Sequence, residues 1–124
     1  MNERIRVLSV DDHPAMREGL ALFINCQPDM LMVAQASNGR EAIERFREHK
    51  PDVTLMDLRL PDMSGIAAAV SIQTEFPKAR IIILTTFDSD IDRQRAAEAG
   101  INAFVLKGGH PWKLLETIHQ VHTG

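Results

Sequence analysis

Asp11 and Asp12 stand side by side where the apolar run VLSV ends, and Asp57, Thr85 and Lys107 each follow or close another apolar run. Carboxylates brought together repel one another unless a cation joins them or one takes up a proton. An all-oxygen donor set selects a hard cation, and Mg2+ typically combines few carboxylates with waters and phosphate oxygens. Lys107 would add a point charge suited to a phosphoryl oxygen, with Thr85 as a neutral donor beside it. The set suits a dianionic phosphoryl group shared between a metal and a lysine. Asp11 and Asp12 would hold Mg2+, and Asp57, central among these residues, is the candidate nucleophile. Taken singly, a strand-terminal aspartate is more often a cap or turn former, and a lysine there a solvated charge. The joint placement is what favours a site.

These residues can meet if each ends a strand of one parallel sheet, because ligands of open α/β sheets sit outside the carboxyl ends of the strands. The apolar runs 5–10, 31–36, 53–56, 80–85 and 103–106 read as such strands. Most are continuous rather than alternating, Ile81-Ile82-Ile83-Leu84 most clearly, as in strands buried on both faces. Between them lie helical patterns. Met16, Gly19, Leu20, Phe23 and Ile24 form one stripe behind Pro14, which suits a first helical turn. Asn38 and Glu41 resemble a capping box for a helix with Ala42, Ile43 and Phe46 on its apolar face. Ser64 caps a helix over 65–75, and a weakly apolar helix over 91–99 stops at Gly100. The last helix starts at Pro111 and carries Leu114, Leu115, Ile118 and Val121. The β-α order repeats five times, which calls for a parallel sheet with helices on both faces.

The 124 residues suit a single domain over 1–124. A net charge of −3 gives no electrostatic footprint for nucleic acid or an anionic membrane. The lone Cys26, read as a small apolar helix residue, excludes an internal disulfide and fits a reducing cytoplasm. The charged start MNER leads into a run too short for a signal peptide, and no apolar run approaches the ~20 residues that span a bilayer. His122-Thr123-Gly124 reads as a helix ending where a linker would begin.

The chain resembles the receiver domain of bacterial two-component response regulators over essentially all its length. The matching residues are Asp11-Asp12, Asp57 in LMDLRLPDMSG, Thr85 in IILTTF, Lys107 in FVLKGG, and Pro61 and Gly65 in the loop after Asp57. DDHPAMREGL and MDLRLPDMSG further resemble the subgroup joined to LuxR-like (NarL/FixJ-type) helix-turn-helix domains. The resemblance implies a flavodoxin-like (βα)5 fold with strand order 2-1-3-4-5. It implies that Asp57 accepts a phosphoryl group from a sensor histidine kinase. Asp12, Asp57 and the backbone carbonyl of Arg59 would bind Mg2+ directly, with Asp11 acting mainly through a water. Thr85 and Lys107 would contact the phosphoryl oxygens, and Phe104 would occupy the aromatic switch position.

The implied protein is a phosphoacceptor that assists its own phosphoryl transfer and autodephosphorylation rather than a metabolic enzyme. It would dimerise on phosphorylation and leave DNA binding to a helix-turn-helix domain outside this chain. Two departures stand out. Gly108 and Gly109 follow the lysine where relatives often carry proline or aspartate, so a shaping cis proline is not expected there. Phe104 replaces the frequent tyrosine, which removes any hydroxyl latch.

Other residues have plainer readings. His119 and His122 read as solvated surface histidines with no carboxylate partner in view, and His13 as a loop residue beside the acid pair. The methionines read as core filler. Asp88, Asp90, Asp92, Arg93 and Arg95 form a solvated helix start, and Trp112 serves either as a partner anchor or as partial packing. Competing functions are a stand-alone receiver acting through protein partners, a Mg2+-dependent aspartyl phosphatase and a flavodoxin-like cofactor carrier. The phosphatase would need an acid two residues after the nucleophile, where Arg59 stands. In the carrier, DDHP would repel the phosphate that its first loop must hold.

Overall fold

The continuous apolar runs form the middle of the sheet because they have core on both sides. In the computed structural model, which describes residues 3–101 and 103–124, the strands are β1 (Ile5–Val10), β2 (Met30–Ala36), β3 (Val53–Asp57), β4 (Ile81–Thr85) and β5 (Ala103–Leu106). Every residue of β3 and β4 is buried. The strands are all parallel, in the order β2-β1-β3-β4-β5, as the resemblance implied. Between them run α1 (Pro14–Asn25), α2 (Gly39–His49), α3 (Gly65–Glu75) and α4 (Asp90–Glu98), with α5 (Pro111–Thr123) last.

Alternate strand side chains face opposite layers. Val7, Leu55, Ile82, Leu84 and Val105 pack with Leu20 and Ile24 of α1 and Leu115 and Ile118 of α5. Leu8, Val10, Met56, Ile81 and Ile83 pack with Ala42 and Phe46 of α2, Ala68, Ala69 and Ile72 of α3 and Ala96 of α4. Ala96 is the one buried residue of α4, so this helix is weakly anchored, as its sparse apolar pattern predicted.

Differences from the sequence reading are local. Strand β2 starts one residue earlier, β4 one later, and β3 includes Asp57. Asn38 caps α2 by accepting from the Glu41 N–H at 2.8 Å. The Glu41 carboxylate, however, accepts from the N–H and hydroxyl of Ser37 at 2.9 and 2.8 Å, one residue before the box position. Ser64 caps α3 as expected. Ser89 caps α4, which therefore begins at Asp90, and Gly100 closes it at φ +82°, a conformation that favours glycine. Cys26 lies exposed just past the end of α1, and Met16 is 39% exposed rather than core. Trp112 is 69% exposed beside the His110 ring, which overturns its partial-packing reading. His119 does have a carboxylate partner: its Nε2 lies 2.6 Å from Asp29 Oδ2, brought from the α1–β2 loop by the fold. No described peptide bond is cis. The charged-terminus reading includes Met1 and Asn2, which lie outside the described residues. No helix among the described residues is long and apolar enough to cross a membrane.

Register brings the strand ends level. Val10 pairs with Met56, Asp57 with Leu84 and Thr85 with Leu106. The residues at and just beyond these ends therefore open onto one edge. The loop after β3 is folded back against the strand, where the Gly65 N–H donates to the Leu58 carbonyl at 2.7 Å. A Cβ on Gly65 would fall 2.0 Å from the Asp57 carbonyl oxygen, a backbone atom that has no room to move. A Cβ on Gly19, exposed inside α1, would meet nothing within 4 Å. Gly65→Ala is therefore expected to cost about 2–3 kcal/mol through overpacking. Gly19→Ala should stabilise by up to about 1 kcal/mol through helix propensity. Urea denaturation of both variants measures the contrast, and equal effects would refute this account of the β3–α3 loop.

Candidate functional site

At the carboxyl edge of the sheet the acids, the hydroxyl and the lysine do converge. Asp11, Asp57 and Thr85 are buried. The Lys107 ammonium lies 2.7 Å from Asp11 Oδ2 and 3.0 Å from Asp57 Oδ2, with 8% of its side chain exposed. Its backbone N–H donates to the Thr85 carbonyl at 2.7 Å, which ties the end of β5 to the end of β4. Thr85 Oγ1 accepts from the Phe87 N–H at 3.4 Å. Asp12 is one-third exposed at the mouth, yet its Oδ1 is buried and has no hydrogen-bond partner. The Arg59 N–H approaches Asp57 Oδ1 at 3.5 Å, while the Arg59 guanidinium points outward, 4.0 Å from Asp92 of α4.

His13, read as a loop residue, and Arg17, which the sequence reading did not single out, prove to belong to the site. His13 is held extended (φ −96°, ψ 112°), as expected of a residue preceding proline, and its ring makes no helix cap. The ring instead turns to the acids, with Nδ1 2.9 Å from Asp11 Oδ1 and 3.1 Å from Asp12 Oδ1. One nitrogen carries one proton at most, so the hydrogen bond goes to Asp11 and Asp12 Oδ1 stays unpaired. Arg17 reaches back from α1 to donate to the Asp11 carbonyl at 2.6 Å. The adjacency of His13 to the acid pair is the sequence signal for the first contact. Nothing in the local pattern marked the second.

Burial and pairing pull the charges in different directions. Burial pushes the Asp11 carboxyl up, but the Lys107 hydrogen bond, the His13 donors and the Lys107 charge overcome it and hold it below the ordinary range. For Asp57 burial wins: it lies above the ordinary range despite the same ammonium, because it lacks donors equivalent to those of His13. Burial also opposes the charge on Lys107, but its bonds to Asp11 and Asp57 prevail and raise it. The Asp11 hydrogen bond, followed by the charge of Asp12, raises the exposed His13.

Ligand atoms of Asp11, Asp12, His13 and Asp57 lie within 4.8 Å of one another, a spacing that can hold a metal ion. The buried, unpaired Asp12 Oδ1 and the neighbouring carboxylate oxygens fit the hard-cation donor set expected from the residue types. Beside the site an apolar groove of about 730 Å3 runs between α1 and α5, lined by Met16, Leu20, Phe23, Val105 and Leu114. It offers packing surface, whereas the charged side chains lie in the acidic crevice. Phe104 is half-buried, and the Arg93 guanidinium of α4 sits 4.5 Å from its ring centroid while also pairing with Asp88. The charged start of α4 is thus partly engaged rather than wholly solvated.

Comparison with known proteins places this geometry in context. Residues 7–119 match the family described as Response regulator receiver domain. The chain is 34% identical over 120 residues to the response regulator protein VraR of Staphylococcus aureus, covering 97% of this chain and 57% of that relative. A two-component response regulator of the LuxR family from Aurantimonas sp. SI85-9A1 superposes with a TM-score of 0.94 at 36% identity, over 98% of this chain and 87% of that one. A DNA-binding response regulator of the LuxR family from Staphylococcus aureus superposes with a TM-score of 0.88 at 26% identity, over 95% and 98%.

The raised Asp57 has a consequence for stability. The folded chain binds that proton more tightly than the unfolded chain, so its contribution is favourable below the ordinary value of 3.8 and is lost as pH rises through the folded value. Asp57→Asn, which imitates the protonated acid, should melt higher than the parent at pH 7, with the advantage vanishing below about pH 3.8. Lys107→Met should do the reverse, costing about 3 kcal/mol at neutral pH by leaving buried carboxylates unpaired. Thermal melts across pH test both, and an Asp57→Asn variant less stable than the parent at pH 7 would refute the first.

Proposed function

The chain belongs to the response regulator receiver family and is the receiver domain of a two-component response regulator, and we propose that Asp57 is its phosphoacceptor. One observation carries this reading. Lys107 bridges Asp57 and Asp11 across a buried strand edge, beside an acid whose inner oxygen is unpaired. A carboxylate oxygen of Asp57 attacks phosphorus, and the bond from phosphorus to the imidazole nitrogen of a sensor kinase phosphohistidine breaks. Little covalent chemistry is asked of the protein, which supplies positioning and charge neutralisation.

Asp12, Asp57 and the Arg59 carbonyl would hold Mg2+, with Asp11 acting through a water. The ion, when bound, neutralises charge on the transferring phosphoryl oxygens. Lys107 follows the added charge from the Asp57 carboxylate to a phosphoryl oxygen, keeping Asp11 on its other side. Thr85 turns its hydroxyl from the Phe87 N–H to another phosphoryl oxygen. The same groups assist water-driven loss of the phosphoryl group. An aspartyl phosphatase is disfavoured because Arg59, two residues after Asp57, is neither an acid nor turned inward.

The movement of Thr85 opens space for Phe104, whose ring is now covered by Arg93. Since Ala96 alone buries α4, a small gain at Phe104 is enough to shift that helix. The altered face bears the exposed Phe87, Ile91 and Trp112, and it would pair with a second receiver or an output domain. The chain spans 57% of the length of VraR, and its own charge does not suit DNA. We assign DNA binding to a helix-turn-helix domain of the full-length protein, acting in the cytoplasm.

An acyl phosphate donor with Mg2+ should place one phosphoryl group on the parent chain and none on Asp57→Asn, read by intact-mass spectrometry. Equal labelling of the variant would refute the assignment. Amide exchange with a beryllofluoride adduct should change over residues 85–99 and 104–112. A response confined to the loop after Asp57 would rule out the proposed switch.

A further inference from the structure

We propose that His13 is a further protein ligand of the cation site, binding through Nδ1, and that it biases the site towards a divalent transition-metal ion. The proposal rests on the reading that Asp12 and Asp57 hold a divalent cation, and it concerns which cation they hold best.

The spacing carries it. His13 Nδ1 lies 2.9 Å from Asp11 Oδ1 and 3.1 Å from Asp12 Oδ1. An octahedral ion with bonds of about 2.1 Å keeps adjacent ligands about 3.0 Å apart and opposite ligands about 4.2 Å apart. The nitrogen thus stands at adjacent-ligand spacing from each oxygen, while the set that includes Asp57 lies within 4.8 Å and has to close slightly around an ion. A hydrogen bond uses the same distances but can serve one oxygen at a time, and Asp12 Oδ1 is left buried without a partner. A cation held by Asp12 Oδ1 and His13 Nδ1 would serve both atoms, with Asp11 Oδ1 reached through a bound water.

Backbone constraints make the placement durable. Pro14 restricts His13 to the extended region, and the His13 N–H donates to Asp11 Oδ1 at 2.9 Å. The ring stands at the N-cap of α1 but makes no cap bond, so facing the acids is its one polar engagement. Asp11 keeps Lys107 on Oδ2, leaving Oδ1 for a water bound to the cation. Mg2+ strongly prefers oxygen, whereas imidazole nitrogen suits transition-metal ions. The histidine therefore adds binding that Mg2+ uses poorly.

The test uses Mn2+ as probe. Electron spin echo envelope modulation of the Mn2+-loaded chain should show a directly bound nitrogen that is absent from His13→Ala. Calorimetric titration should show Mn2+ affinity falling at least about tenfold in that variant, with Mg2+ affinity staying within about threefold. His13 is 68% exposed, so its truncation leaves the core untouched. Mn2+ binding to the parent without a bound nitrogen, or an unchanged Mn2+ to Mg2+ ratio in the variant, overturns this proposal and leaves the Asp12–Asp57 site standing. Failure of both ions to bind the parent overturns that site, and this proposal with it.

Discussion

Lys107 and its carboxylates form the interaction around which the rest is arranged. The ammonium joins Asp11 beyond the end of β1 to Asp57 at the end of β3, and its own backbone binds Thr85 of β4. Buried charge is costly unless paired with good geometry, and removal of one partner strands the other. The sheet must therefore hold β1, β3, β4 and β5 in a register that keeps these groups together. The fully buried β3 and β4 provide the rigidity.

The same ammonium leaves the two acids in different states. Asp11, with extra donors from His13, sits below the ordinary carboxylate range, whereas Asp57 sits above it because burial outweighs its single strong partner. Asp11 thus behaves as a fixed charge, and Asp57 is the carboxylate whose charge burial opposes most effectively. A cation near Asp57 would offset the burial that opposes its charge.

The helices around the site are unequally anchored. The helices α1 and α5 bury large aliphatic residues against one face of the sheet, and α2 and α3 bury Phe46, Ile72 and alanines on the other. By contrast α4 offers Ala96, a Ser89 cap and surface contacts made by Arg93 and Asp92. Arg59, two residues from Asp57, and Phe104 of β5 both meet α4. The most weakly anchored helix thus also touches residues near the site.

The residue pattern alone determined most of the architecture. Continuous aliphatic runs can be buried on both faces only in a central parallel strand, and Pro14, Asn38, Ser64 and Pro111 mark helix starts through purely local chemistry. The acids, threonine and lysine were legible because each sits at the end of such a run. Other features depended on distance in space rather than along the chain. His13 turning from its helix to the acids, Arg17 pinning the Asp11 carbonyl and His119 meeting Asp29 were not marked by periodicity or capping. Nor was Asp57 bound to rise while Asp11 falls. That difference comes from how many donors surround each carboxylate once buried, and tertiary packing alone decides that number.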